Sequence, residues 1–229
     1  MNNRKKTILN EAYKKRPSEI WRKEFDLILD LVEENSLVLD LGCGDGSLDK
    51  ALIERKRCEV IGLDISEEAV QIARRKGVDA RLGDLESPLP FADKSFDYVI
   101  LCDVLEHLFD PLFTLIEALR VSKKYVIVAF PNFAYFKSRV ELMFHGIFPV
   151  TPLFGYKWYN SQHIRLFSYK DFLKILRFLN ARVVDERFVS TFPKFVTNFF
   201  PNLLALVCVL KIRRNSIDYE KLNYWGVDV

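Results

Sequence analysis

The chain has 229 residues, 49% hydrophobic and 28% charged, with 34 basic against 31 acidic side chains and a net charge of +3. A chain of this length buries enough surface to fold without disulfide or metal staples, and its apolar content excludes a disordered chain. The near-balanced charge supplies no global field toward nucleic acid, and four scattered cysteines with three histidines make no zinc pattern. Nothing near the N-terminus has the apolar core of a secretory signal. The longest late apolar run, 203–210, is far short of the roughly 20 residues a spanning helix needs. The expectation is a cytoplasmic protein with reduced thiols and no membrane span.

Residues 1–17 read as a basic arm carrying Arg4, Lys5, Lys6, Lys14, Lys15 and Arg16. From residue 18, Ile20, Trp21, Phe25, Ile28, Leu29 and Val32 recur at three- and four-residue steps, which predicts a helix that Asn35 and Ser36 end. Residues 37–41 are a short apolar run before glycines and predict a buried strand. Helices are then predicted over 48–55, 67–76 and 111–121, and strands over 59–63, 79–82, 96–101 and 125–130. This alternation predicts an α/β fold, a doubly wound parallel sheet covered on both faces. A cap segment, 132–168, carries an apolar helical stripe (Phe136, Val140, Met143, Phe144, Ile147) and then the aromatics Phe148, Phe154, Tyr156, Trp158 and Tyr159. The stripe is expected to pack on the sheet. Helix 169–179 and strand 182–187 resume the rhythm, and 203–212 reads as the last strand. One domain is therefore expected over 18–213, with a polar tail over 214–229.

The informative stretch is Asp40-Leu41-Gly42-Cys43-Gly44-Asp45-Gly46, where a strand enters a glycine turn and a helix follows. Glycines allow a tight turn and close approach of a ligand, and the helix start favours an anion. Ser47 stands where a dinucleotide fingerprint needs its third glycine, and Asp40 would repel a pyrophosphate. A carboxylate with a neighbouring ammonium suits both groups, which points to the amino-acid end of S-adenosylmethionine. Asp64, at the end of the second strand, can accept bonds from both ribose hydroxyls. Asp84 follows the third strand and can accept from an adenine amino group. Helix capping or turn chemistry is the competing role for both acids. Cys43 reads as a small packing residue.

These residues resemble class I S-adenosylmethionine-dependent methyltransferases, and most narrowly the MetW family linked to methionine biosynthesis. The likeness continues through Phe130-Pro131-Asn132-Phe133, Pro149-Val150, Tyr156 to Asn160, His163-Ile164, Asp171-Phe172 and Pro201-Asn202-Leu203-Leu204. The resemblance implies a seven-stranded, mostly parallel, Rossmann-like sheet with a helical and aromatic cap. It also implies a donor site that takes in Ile65, Leu85 and Cys102 beside Asp40, Gly42, Cys43, Gly44, Gly46, Asp64 and Asp84. MetW-like proteins are associated with a homoserine acyltransferase, which implies a possible protein partner. The chain departs from the family at Cys102 to Leu108, where Glu106-His107-Leu108 is similar to small-molecule methyltransferases, including those of quinone biosynthesis.

Methyl transfer from a sulfonium needs alignment and exclusion of water, and needs a base only if the acceptor must lose a proton. His107 and His163 are the candidate catalytic groups, each with a structural role as its alternative. Tyr156, Trp158 and Tyr159 are candidates for the wall of a small-molecule acceptor pocket, or for packing the cap. Glu106 and His107 make half a ligand set with no further ligands evident, so no metal is expected. No signature of DNA-base methylation is present, and no basic stripe with interleaved aromatics points to nucleic acid. A dinucleotide oxidoreductase is disfavoured by Ser47 and Asp40.

Overall fold

The computed structural model describes Thr7, Asn10, Glu11 and Tyr13 and residues 21–149, 157–159 and 161–215. Among these, seven strands form one sheet: β1 (Leu37–Leu41), β2 (Glu59–Asp64), β3 (Asp79–Leu82), β4 (Phe96–Cys102), β5 (Ser122–Pro131), β6 (Ala181–Val189) and β7 (Val207–Arg214). Their order is β3-β2-β1-β4-β5-β7-β6. Strand β1 runs parallel to β2 and β4, with Leu39 opposite both Ile61 and Val99, and β2 runs parallel to β3. The β6–β7 pair is antiparallel. The strand order reverses direction at β1 and β4, and ligands of such sheets bind beyond the carboxyl ends of strands at that switch.

The helices are α1 (Lys23–Leu31), α2 (Ser47–Lys56), α3 (Glu67–Arg75), α4 (Pro111–Val121), α5 (Phe136–Val140), α6 (Tyr169–Phe178), α7 (Lys194–Phe199) and α8 (Pro201–Leu204). Side-chain caps set the starts of α3 and α6. Ser66 caps α3 by accepting from the Ala69 amide, and Ser168 and Asp171 form a reciprocal capping box on α6.

The chain divides into two compact units, 1–102 with 114–127, and 103–113 with 128–229. In the first, β1 and β4 are apolar on both faces, and Ile28, Leu39, Leu41, Leu52, Val99, Ile100 and Leu101 are fully buried. In the second, Phe130 packs on Phe167 and Phe172, each at a ring separation of 4.8 Å. Asn132, buried there, donates to the Ala205 carbonyl at 3.0 Å and accepts from the Tyr169 amide at 3.2 Å.

Three features differ from the sequence expectations. Within the N-terminal arm, Thr7, Asn10, Glu11 and Tyr13 are helical, and Asn10 accepts from the Ser66 hydroxyl at 2.6 Å. The apolar stripe forms the short helix α5 and a π-helical turn (Glu141–His145), ended by Gly146 at φ +63°. It does not pack as expected, since Met143 and Phe144 are 72% and 69% exposed. The last strand starts at Val207, because Pro201 occupies the first turn of α8. Residues 150–156 of the cap, including Tyr156, and 216–229 of the tail lie outside the described residues. Among the described residues, no helix is long and apolar enough to cross a membrane.

Candidate functional site

In the first unit, β1 delivers the chain into the glycine turn. The Gly42 and Cys43 amides both donate to the Leu63 carbonyl, at 2.7 and 3.0 Å, which ties the turn to the end of β2. Gly44 and Gly46 have φ of +56° and +72°, a region that disfavours side chains. A Cβ on Gly46 would lie 2.7 Å from Cβ and 3.0 Å from Cα of Ala73, so this glycine lets α2 approach α3. A Cβ on Gly44 would lie 2.7 Å from the Tyr13 hydroxyl, which places that phenol over the turn. Asp45 accepts from the Ser47 hydroxyl at 2.9 Å and from Lys76 Nζ at 2.8 Å, fixing the start of α2.

Asp64 ends β2 with a buried carboxylate. Its Oδ2 accepts from the Gly44 amide at 2.9 Å, and its Oδ1 from the Ser66 amide at 2.8 Å. Asp84, beyond β3, accepts from the Glu86 amide at 3.1 Å in a local turn. Leu85 is buried, and Thr114 Oγ1 donates to its carbonyl at 2.9 Å. Ile65 is half-buried. Cys102 is buried at the end of β4, where Arg22 Nη2 donates to its Sγ at 3.5 Å.

Asp40 is buried and faces a second acid, Asp49 of α2, which is fully buried. Among the described residues, no N–H or hydroxyl group donates to Asp40 Oδ1 or to either carboxyl oxygen of Asp49. Burial pushes Asp40 up to about 6, against the lowering effects of the Asp49 carboxyl and the Arg22 guanidinium. Burial and the neighbouring Asp40 hold Asp49 well above the usual carboxylate range. Two buried carboxyls facing each other in this way disfavour the doubly ionised pair. Burial also pushes the Cys43 thiol far up, so Cys43 is a packing group and no nucleophile. Gly62 makes room for the pair, since a Cβ there would lie 2.7 Å from Cys43 Sγ and 2.9 Å from Asp49 Oδ2.

In the second unit, Asp103 turns the chain out of β4 in a left-handed conformation, φ +52°, with its amide donating to the Ala129 carbonyl at 2.9 Å. A 3₁₀ turn (Leu105–His107) follows. His107 and His163 meet edge to face at 4.8 Å between ring centres. His107 Nδ1 lies 3.0 Å from the Gln162 carbonyl, which can only accept, so Nδ1 is the donor of that bond. Burial lowers the His163 pKa. The Ile164 and Arg165 amides both donate to the Glu106 carbonyl, at 2.8 and 3.0 Å. Trp158 and Tyr159 are 74% and 63% exposed, with Lys157 Nζ 5.8 Å above the Tyr159 ring.

The turn, Asp40, Asp64, Asp84, Leu85 and Cys102 thus share the first unit, and both histidines share the second. Sequence reasoning missed Asp49, Gly62 and Tyr13. Asp49 stands at the third position of α2, where an acid reads as a complement to the helix dipole. Gly62 interrupts an otherwise apolar strand, a sign of close backbone approach that was there to be read.

The family described as "Methionine biosynthesis protein MetW" matches residues 22–212. The chain is 33% identical over 201 residues to the bifunctional methionine biosynthesis protein MetXA/MetW of Rhodopirellula baltica, covering 82% of this chain but 32% of that relative's length. It is 31% identical over 161 residues to a demethylmenaquinone methyltransferase of Bacillus cereus, covering 65% of this chain and 66% of that one. In fold it is similar to magnesium protoporphyrin IX methyltransferase from Synechocystis, solved with bound SAH. The TM-score is 0.65 and the identity 19%, with 92% of this chain and 100% of the other covered.

Proposed function

Since the chain belongs to the MetW family and has the class I methyltransferase fold, we propose that it binds S-adenosylmethionine and methylates a small-molecule acceptor. The observation that carries this reading is the buried Asp64 carboxylate at the end of β2, held against the Gly44 amide of the glycine turn. Gly44 lets a phenol, that of Tyr13, approach the turn closely, and Asp40 offers a buried carboxylate oxygen that suits an ammonium group. Asp64 would accept from the ribose, Asp84 from the adenine amino group, and the amides at the start of α2 would meet the ligand's carboxylate. Gly42, Cys43, Gly46, Ile65, Leu85 and Cys102 complete the proposed donor site.

When bound, the sulfonium supplies a methyl group already activated for transfer. The chain's own residues need only align the acceptor and exclude water. His107 is the proposed base for an acceptor that must lose a proton, and His163 is its neighbour. Trp158 and Tyr159, with Tyr156 of the undescribed segment, are proposed on the acceptor side. A cytoplasmic setting goes with buried cysteines, none of them in a disulfide.

Calorimetric titration with S-adenosylmethionine, and separately with NAD, tests the reading on wild type and on Asp64→Ala. Micromolar binding of the methyl donor, absent for NAD and weakened about tenfold or more in the variant, supports it. Binding of neither ligand overturns it.

A second reading is favoured by the relative whose name joins MetXA to MetW. Here the chain is a partner of a homoserine acyltransferase-like protein, binding the nucleoside ligand with little turnover. A stable complex in co-purification, together with absent turnover, selects this reading over the first.

A further inference from the structure

We propose that Glu106, His107 and His163 form a binding site for a divalent first-row transition ion of the zinc class. One ligand atom from each residue lies within 4.8 Å of the other two, close enough for small side-chain rotations to bring all three onto a single ion. All three belong to the second unit, and they come from two segments that the backbone clamps together. The Ile164 and Arg165 amides grip the Glu106 carbonyl, and the guanidinium of Arg165 donates to the Phe109 carbonyl. The sequence suggested half of this set, and the fold supplies the third ligand from 56 residues further on.

A further observation points to a cation. The His107 ring is oriented through Nδ1 by a backbone carbonyl, the outer-shell bond that commonly fixes the tautomer of a ligating histidine. Two imidazoles and one carboxylate are the donor set of catalytic zinc and non-haem iron sites. They leave coordination positions for water or an oxygen-bearing acceptor. A ligated His107 no longer offers its lone pair as a base, so metal-loaded and metal-free protein differ in that respect.

The inference stands apart from donor binding and is tested without it. The intact chain, stripped with chelator, is titrated with zinc chloride against a chromophoric chelator. Cobalt chloride gives an independent visible spectrum. Wild type is expected to bind one ion tightly, with affinity falling about tenfold or more in His107→Ala and in His163→Gln. His145→Gln, which alters the third histidine, is expected to bind like wild type. Circular dichroism melts check that each variant folds, and the half-buried His163 keeps the test usable if a change at buried Glu106 does not. Zinc affinity and cobalt spectrum unchanged in both His107→Ala and His163→Gln would overturn the site. So would a wild type that binds no ion.

Discussion

The Asp64 carboxylate accepts the Gly44 amide at 2.9 Å, so the acid that ends β2 also holds the middle of the glycine turn. The same side chain accepts the Ser66 amide at the start of α3. It therefore organises three segments before any ligand is considered.

Asp64→Asn keeps one oxygen acceptor and loses the charge. Donor affinity is expected to fall at least about tenfold, since hydrogen bonds to a charged group contribute roughly 1.5–3 kcal/mol. Calorimetric titration checks this, and an unchanged dissociation constant would remove Asp64 from the donor site.

Donor affinity is expected to rise with pH through about 6, the value to which burial pushes Asp40. A cationic ammonium group favours the ionised carboxylate, and protonation below that value removes the attraction. Arg22, Asp49 and Asp64 all act on this carboxyl. Titrations between pH 5 and pH 8 would reveal the step, and a flat profile would show that Asp40 does not meet the ammonium group.

Asp49 keeps its proton in the fold at pH values where the unfolded side chain, with a pKa near ~3.9, has lost it. The fold then binds more protons than the unfolded chain, so stability falls as pH rises above that value. Asn keeps the shape and a donor toward Asp40 but has nothing to titrate. Asp49→Asn is expected to raise stability at pH 7.5 by roughly 1–3 kcal/mol and to flatten its decline from pH 5. Urea denaturation at the two pH values decides it.

Gly46→Ala forces a Cβ against the backbone of α3 and strains a positive φ, and is expected to cost roughly 2–4 kcal/mol. Gly77, at φ +88° with nothing within 4 Å of a new Cβ, isolates the strain alone. Gly77→Ala is expected to cost roughly 1–2 kcal/mol. Equal losses in thermal or urea melts would refute the packing argument.

Asn132→Leu removes the buried amide that bridges Ala205 and Tyr169. It leaves a buried carbonyl and amide short of partners, at an expected cost of roughly 2–4 kcal/mol. Denaturation that leaves the midpoint in place would show that these groups find other partners.

The parts of this site legible in the sequence are local. Asp40, the glycine turn, Asp64 and Asp84 all sit where a parallel strand meets its connection, so one stretch of chain specifies both backbone and chemistry. What was missed depends on distant chain. His163 meets His107 only through the fold, and no spacing rule joins residues so far apart. Asp49 reads as a routine first-turn acid until its burial beneath Gly62 is seen. The stripe of Met143 and Phe144 has the period of a buried face, yet periodicity cannot say whether anything covers it. The late strand was placed too early because apolar residues 203–206 read alike in strand and helix. Only Pro201 distinguishes them.

The titration of Asp40 near pH 6 has a calorimetric consequence. A cation entering beside Asp40 at that pH expels part of its proton into the solvent, where the buffer takes it up. The heat of such a titration then includes the buffer's own enthalpy of ionisation. Phosphate and Tris would return different apparent enthalpies for the same event, and the slope between them would count the protons released.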